Sequence, residues 1–129
     1  RKPLDLNRFE EIVKFTQEAG IEPEIFTLYG LPKQNIESCF KTLDFLKRLG
    51  IKIAGNSAGQ QLHLFFGTDI ADAPARYGIC LLKKRRPLYL SPGTDFVTEQ
   101  MKRRDIVKIE EAYKVLHPRN ARKKTLLCF

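Results

Sequence analysis

The chain has 129 residues, of which 43% are hydrophobic and 29% charged, and its formal net charge is +8. That is the size of one domain or a piece of one, and it is too apolar for a disordered chain. No apolar run approaches the roughly 20 residues of a membrane-spanning helix, so a soluble protein is expected.

The sequence opens Arg1-Lys2-Pro3, with neither an initiator Met nor the apolar core of a signal peptide, which predicts a fragment or a processed chain. Asn7 followed by Glu10 has the spacing of a capping box. Behind it Phe9, Ile12, Val13, Thr16 and Ala19 recur at the period of one helical face, and Gly20 supplies a stop. Ile21 to Tyr29 is rich in β-branched and aromatic residues and ends at Gly30-Leu31-Pro32, the pattern of a strand and a tight loop. Asn35 then caps a second predicted helix with Ile36, Cys39, Phe40, Leu43 and Leu46 on its apolar face. Leu49-Gly50 closes it, and Ile51-Lys52-Ile53-Ala54 opens a second strand.

The junctions Ala19-Gly20-Ile21 and Leu49-Gly50-Ile51 lie 30 residues apart, about one βα unit. Helix, strand, helix and strand at that period predict parallel strands joined by crossovers. The expected fold is α/β, a sector of a partial (β/α) TIM-like barrel, because a full barrel needs about 250 residues. Residues 1–80 would form half of that barrel, and residues 81–129 a basic C-terminal extension packing on it.

Beyond Ala54 the regularity weakens. A polar stretch carries Asn56, Gln60 and Gln61, and the apolar Leu62-His63-Leu64-Phe65-Phe66 follows. Ala71–Tyr77 reads as a short helix stopped at Gly78, and Leu88-Tyr89-Leu90 as a brief extended piece before Ser91-Pro92-Gly93. Arg104 to Leu116 is a final helix with Ile106, Ile109, Tyr113 and Leu116 on one side. The tail ends in the apolar Leu126-Leu127-Cys128-Phe129.

The charge is unevenly placed. Residues 1–75 hold nine Lys/Arg against ten Asp/Glu, whereas residues 76–129 hold fourteen against five. Lys83-Lys84-Arg85-Arg86, Lys102-Arg103-Arg104 and Arg122-Lys123-Lys124 have the charge to meet phosphates or an acidic partner. Lacking interleaved aromatics at base-stacking spacing, they read as a solvated basic face. Cys39, Cys80 and Cys128 are odd in number and 41 and 48 residues apart, with no CxxC or Cys/His cluster. Reduced thiols of a cytoplasmic protein account for them, and no metal site is expected. His63 and His117 stand apart from partner carboxylates and propose no catalytic triad.

Three segments resemble radical S-adenosylmethionine (SAM) enzymes, in the branch of oxygen-independent coproporphyrinogen oxidase and the cobalamin-binding radical SAM proteins. They are Thr27-Leu28-Tyr29-Gly30-Leu31-Pro32-Lys33-Gln34, Thr42-Leu43-Asp44-Phe45-Leu46-Lys47 and Phe65-Phe66-Gly67-Thr68-Asp69-Ile70, in the family's order. The likeness covers roughly Leu6 to Ile79, with weaker echoes to Leu116.

The resemblance implies the C-terminal half of a barrel whose missing part carries CxxxCxxC. Those cysteines hold a [4Fe–4S] cluster that reductively cleaves SAM to a 5′-deoxyadenosyl radical. This chain has no such motif and would be inactive alone, contributing part of the SAM and substrate wall. A parent that also binds cobalamin is the expected subtype, with cobalamin bound elsewhere.

The family's Gly-x-Ile-x-Gly-x-x-Glu pattern falls on Phe26, Leu28, Gly30 and Lys33, of which Leu28 and Gly30 fit and the other two depart. Leu28 and Gly30 are therefore cofactor-binding candidates, and equally a core leucine and a loop glycine. Asn56, Gln60 and Gln61 follow a strand and bring hydrogen-bonding amides to the barrel end where active sites are built, or simply line a surface loop. Tyr29 shares a strand face with Thr27 and would line the barrel interior or pack as a core aromatic.

A small basic α/β module binding nucleic acid or an acidic partner is the alternative. A phosphate-binding α/β domain lacks its G-x-G-x-x-G or GxxxxGK[ST] signature. Open strand edges and uncovered helix faces predict that the isolated chain self-associates, exchanges strands or folds its apolar tail over the gap, the rest of the parent chain being the natural partner.

Overall fold

The computed structural model describes residues 4–53, 60–83 and 89–116. It is a small mixed α/β arrangement of four helices and short two-stranded sheets. Asn56, the Lys84–Arg86 part of the first basic cluster, His117 and the C-terminal tail lie outside the described residues.

Helix α1 (Leu6–Glu18) is capped by Asp5, whose Oδ1 accepts from the Asn7 amide at 3.0 Å and the Arg8 amide at 3.2 Å. This corrects the capping box expected at Asn7 and Glu10. The helix begins at Leu6, so Asn7 already lies in its first turn, and Glu10 instead meets Lys14 at 3.0 Å and Arg48 at 3.2 Å. Of the expected apolar face, Val13 is buried and Phe9 half-buried, but Ile12 is exposed.

Helix α2 (Ile36–Arg48) starts at Asn35 as expected, with the Ser38 amide donating to Asn35 Oδ1 at 2.8 Å. Cys39, Leu43 and Leu46 are buried, while Phe40 stays exposed.

Both helices end in the same device. At α1 the Ile21 amide donates to Thr16 O and the Gly20 amide to Gln17 O; at α2 the Ile51 amide donates to Leu46 O and the Gly50 amide to Lys47 O. This is the paired bonding of a Schellman motif, which needs a left-handed residue after the helix. Gly20 and Gly50 sit at φ 74° and 65°, where a Cβ is disfavoured. The two ends are tied together as Gln17 Nε2 donates to Leu49 O at 2.8 Å.

Each turn feeds an extended segment, and the two segments run parallel. β1 (Glu24–Ile25) pairs with β3 (Lys52–Ile53), and β2 (Leu28–Tyr29) pairs with β4 (Gln60–Gln61). Ladder bonding covers only these pieces of the strand expected over Ile21–Tyr29.

The second half of the chain departs from the repeat. β5 (Leu64–Phe65) pairs antiparallel with β7 (Tyr89–Leu90), and β6 (Ile79–Leu81) antiparallel with β8 (Phe96–Thr98). Between them lie α3 (Asp69–Asp72) and a 3-10 turn over Pro74–Tyr77 that stops at Gly78, dividing the single helix expected there. Helix α4 (Arg103–Lys114) closes the described chain. No helix among the described residues is long and apolar enough to cross a membrane.

Two cores result. The larger joins Val13 of α1, Tyr29, Ile53, the buried face of α2, Met101, and Ile106, Ile109 and Tyr113 of α4. Tyr29 and Tyr113 meet with ring centroids 5.7 Å apart, and Leu116 O accepts from the Ile53 amide. Each large apolar side chain so buried contributes about 1.5–3 kcal/mol. The smaller core holds Leu64, Ala71, Ile79, Leu90 and Phe96.

Replacing Asp5 by Ala is expected to lower unfolding free energy by about 1 kcal/mol, while Asn7→Ala changes it by a few tenths. Urea unfolding followed by circular dichroism distinguishes the two caps, and equal losses would contradict the assignment to Asp5.

Candidate functional site at the strand ends

The parallel register brings four of the five sequence-proposed residues together. Leu28 lies opposite Gln60 and Tyr29 opposite Gln61, with Gly30 at the carboxyl end of β2. Ligand sites of parallel α/β sheets form at such strand ends. The Leu62 amide extends the pairing by donating to Tyr29 O at 2.9 Å.

Alternation along the segment separates two faces. Ile25, Thr27 and Tyr29 point toward the helices, and Tyr29 retains only 1% of its surface. Phe26 and Leu28 point the other way and are 68% and 43% exposed. Tyr29 is therefore a core aromatic, whereas Leu28 is open to solvent.

Burial pushes the Tyr29 phenol up to about 12, against the opposing effect of a hydrogen bond with Gln61. It is a neutral group at physiological pH, tying half-buried Gln61 to the core. Burial likewise raises the Cys39 thiol to about 11, so Cys39 is a packing residue rather than a nucleophile.

Gly30 is fixed by its own loop. Gln34 Oε1 accepts from both the Gly30 and Leu31 amides, at 3.0 and 3.2 Å. Gly30 has φ 86°, and a Cβ there would stand 3.2 Å from Pro92. Its missing side chain thus serves a sharp turn and the close approach of the Ser91–Gly93 loop. Lys33, which departs from the family pattern, takes a left-handed φ of 64° that lets Gln34 fold back.

The Ser91–Gly93 loop brings in side chains that spacing along the chain did not suggest. Asp95 Oδ2 accepts from the Ser91 amide at 3.0 Å, and Ser91 Oγ lies 3.2 Å from His63 Nδ1. The His63 ring meets Tyr89 at 4.6 Å. His63 and Ser91 are 28 residues apart, and only the antiparallel return of β7 makes them neighbours. Among the described residues no carboxylate orients His63, so the pair is a positioning contact rather than a nucleophile with its base.

The groups implied by the family resemblance fit unequally. For SAM, exposed Leu28 supplies an apolar contact, whereas Gln61 is bonded to the inward-facing Tyr29 phenol and the Gly30 N–H is already engaged by Gln34. For the [4Fe–4S] cluster the described residues do not fit: Cys39 is buried in the helix core, Cys80 is exposed on β6, and no group of three His, Cys, Asp or Glu able to hold a metal occurs among them.

No protein family, curated protein or solved structure matches the chain.

Gly30→Ala is expected to destabilise the chain by more than about 1 kcal/mol, since it adds left-handed strain to a crowded Cβ position. Thermal unfolding of Gly30→Ala beside Gly20→Ala, where nothing lies within 4 Å, checks this. A loss no greater at Gly30 would show that the approach of Pro92 carries no energy.

Proposed function

We propose that the chain is a sector of the (β/α) barrel of a radical SAM enzyme of the cobalamin-binding branch, forming part of its nucleoside and substrate wall and inactive alone. The carrying observation is the parallel register of β2 and β4, which gathers Leu28, Gly30, Gln60 and Gln61 at one strand end. SAM, once bound and reduced by a cluster held elsewhere in the parent, supplies the radical chemistry. The part of this chain is to offer Leu28 as an apolar contact and Gln60 and Gln61 as amides, with Asn56 from the preceding segment. The neutral Tyr29 phenol holds Gln61 in place.

Uncovered apolar surface supports a piece that belongs beside others. Phe26 and Leu28 are open on one face of the parallel strands, and an apolar groove of about 350 Å³ lies among Leu4, Leu6, Phe9, Ile25, Phe45 and Leu46. These are the surfaces for the rest of the parent chain.

The test begins with the reading frame upstream, where three cysteines spaced CxxxCxxC are expected within one barrel length, about 250 residues. The longer polypeptide, prepared without oxygen and reduced, should then convert SAM to 5′-deoxyadenosine, and Leu28→Asp and Gln61→Leu should each slow this about 10-fold, or about 1.4 kcal/mol. A frame without those cysteines, or turnover indifferent to both substitutions, overturns the proposal.

The isolated chain is expected to self-associate. Light scattering should give a mass that rises with concentration and falls toward the monomer in Phe26→Lys; a dilution-stable monomer speaks against an open sector.

A further inference from the structure

The two short strands β5 and β7 carry one buried face and one open face. Leu64 and Leu90, opposite each other in register, are buried at 0% and 2%. Phe65 and Tyr89, the other register pair, are 51% and 42% exposed, with ring centroids 5.7 Å apart. His63, two residues before Phe65, is exposed on the same side and meets Tyr89 from the other flank at 4.6 Å. Its ring is steadied by Ser91 Oγ, and Ser91 in turn by buried Asp95. Three rings thus stand side by side on a solvent-facing sheet surface, held by a core beneath and a hydrogen-bonded loop beside.

Among the described residues, unpaired cations lie at the start of α4. Lys102, Arg103 and Arg104 begin α4, where the helix dipole disfavours cations. Among the described residues only Arg104 of the three has an acidic partner, Asp105 at 3.7 Å. The α4 start adjoins the same loop, because Ile106 packs on Gly93, two residues from Ser91.

We infer that the open face of the β5–β7 pair binds single-stranded nucleic acid, its unpaired bases stacking on the surface made by His63, Tyr89 and Phe65. Exposed rings and uncompensated cations together match a chain that alternates flat bases with phosphates. An acidic protein would use the charge but leave the rings unsatisfied, and a duplex hides its base faces. The inference stands independently of the radical SAM reading, which concerns the ends of β2 and β4.

The test uses the 129-residue chain and a fluorescein-labelled oligouridylate of about twelve nucleotides, a length that spans such a site, with anisotropy as the readout. Binding should weaken steeply with salt. Tyr89→Leu and Phe65→Leu, which keep apolar bulk but remove the ring, should each weaken it about 10-fold, while Tyr89→Phe leaves it within about 2-fold. Unchanged circular dichroism in the Leu variants separates loss of the ring from loss of the fold. Equal affinity for the matching duplex, equal affinity for uridine monophosphate, indifference to both Leu substitutions, or no binding at low salt each overturns the inference.

Discussion

The parallel pairing of Glu24–Ile25 with Lys52–Ile53 and of Leu28–Tyr29 with Gln60–Gln61 depends on how two helices end. Each must reverse direction within a few residues and send its strand back alongside the other, and a left-handed glycine does this at Gly20 and again at Gly50. The bonds from Ile21 to Thr16 and from Ile51 to Leu46 satisfy helix carbonyls that would otherwise be orphaned, and Gln17 ties the second helix end to the first. With these turns set, Ile25, Tyr29 and Ile53 fall beneath the helices and Phe26 and Leu28 fall away from them. The separation of core from candidate site follows from that alternation.

The two candidate regions are built on different principles. At the ends of β2 and β4 the backbone is already closed: Gln34 holds the Gly30 and Leu31 amides, and Pro92 fills the space above Gly30. What stays open there is the Leu28 side chain. On the β5–β7 face the backbone is occupied by antiparallel pairing, and the side chains are what face solvent. The Ser91–Gly93 loop joins the regions, touching Gly30 through Pro92, His63 through Ser91 and α4 through Gly93.

Local signals and long-range ones differed in how far they could be read. Asn35, Gly20, Gly50 and Gly78 act where the sequence placed them, because caps and left-handed turns are decided within about five residues. Asn7 failed by the same logic: Asp5, an equally good cap two positions earlier, begins the helix first. Phe40 and Ile12 matched a helical face but stay exposed among the described residues. The antiparallel strands left little trace, since runs of two or three residues cannot establish a period.

Composition and spacing alone determined that the first half alternates helices with parallel strands, because a 30-residue repeat with glycine stops leaves few other ways to bury its apolar faces. They also determined the basic second half and the absence of a local cysteine or histidine cluster in the sequence. Only tertiary structure decided that Tyr29 turns inward while Leu28 turns outward, that α4 completes the core of the first half, and that His63, Phe65 and Tyr89 stand as one surface. Those outcomes rest on residues 24 or more positions apart, whose meeting is governed by strand register and by the burial of Leu64 against Leu90, quantities that no local window contains.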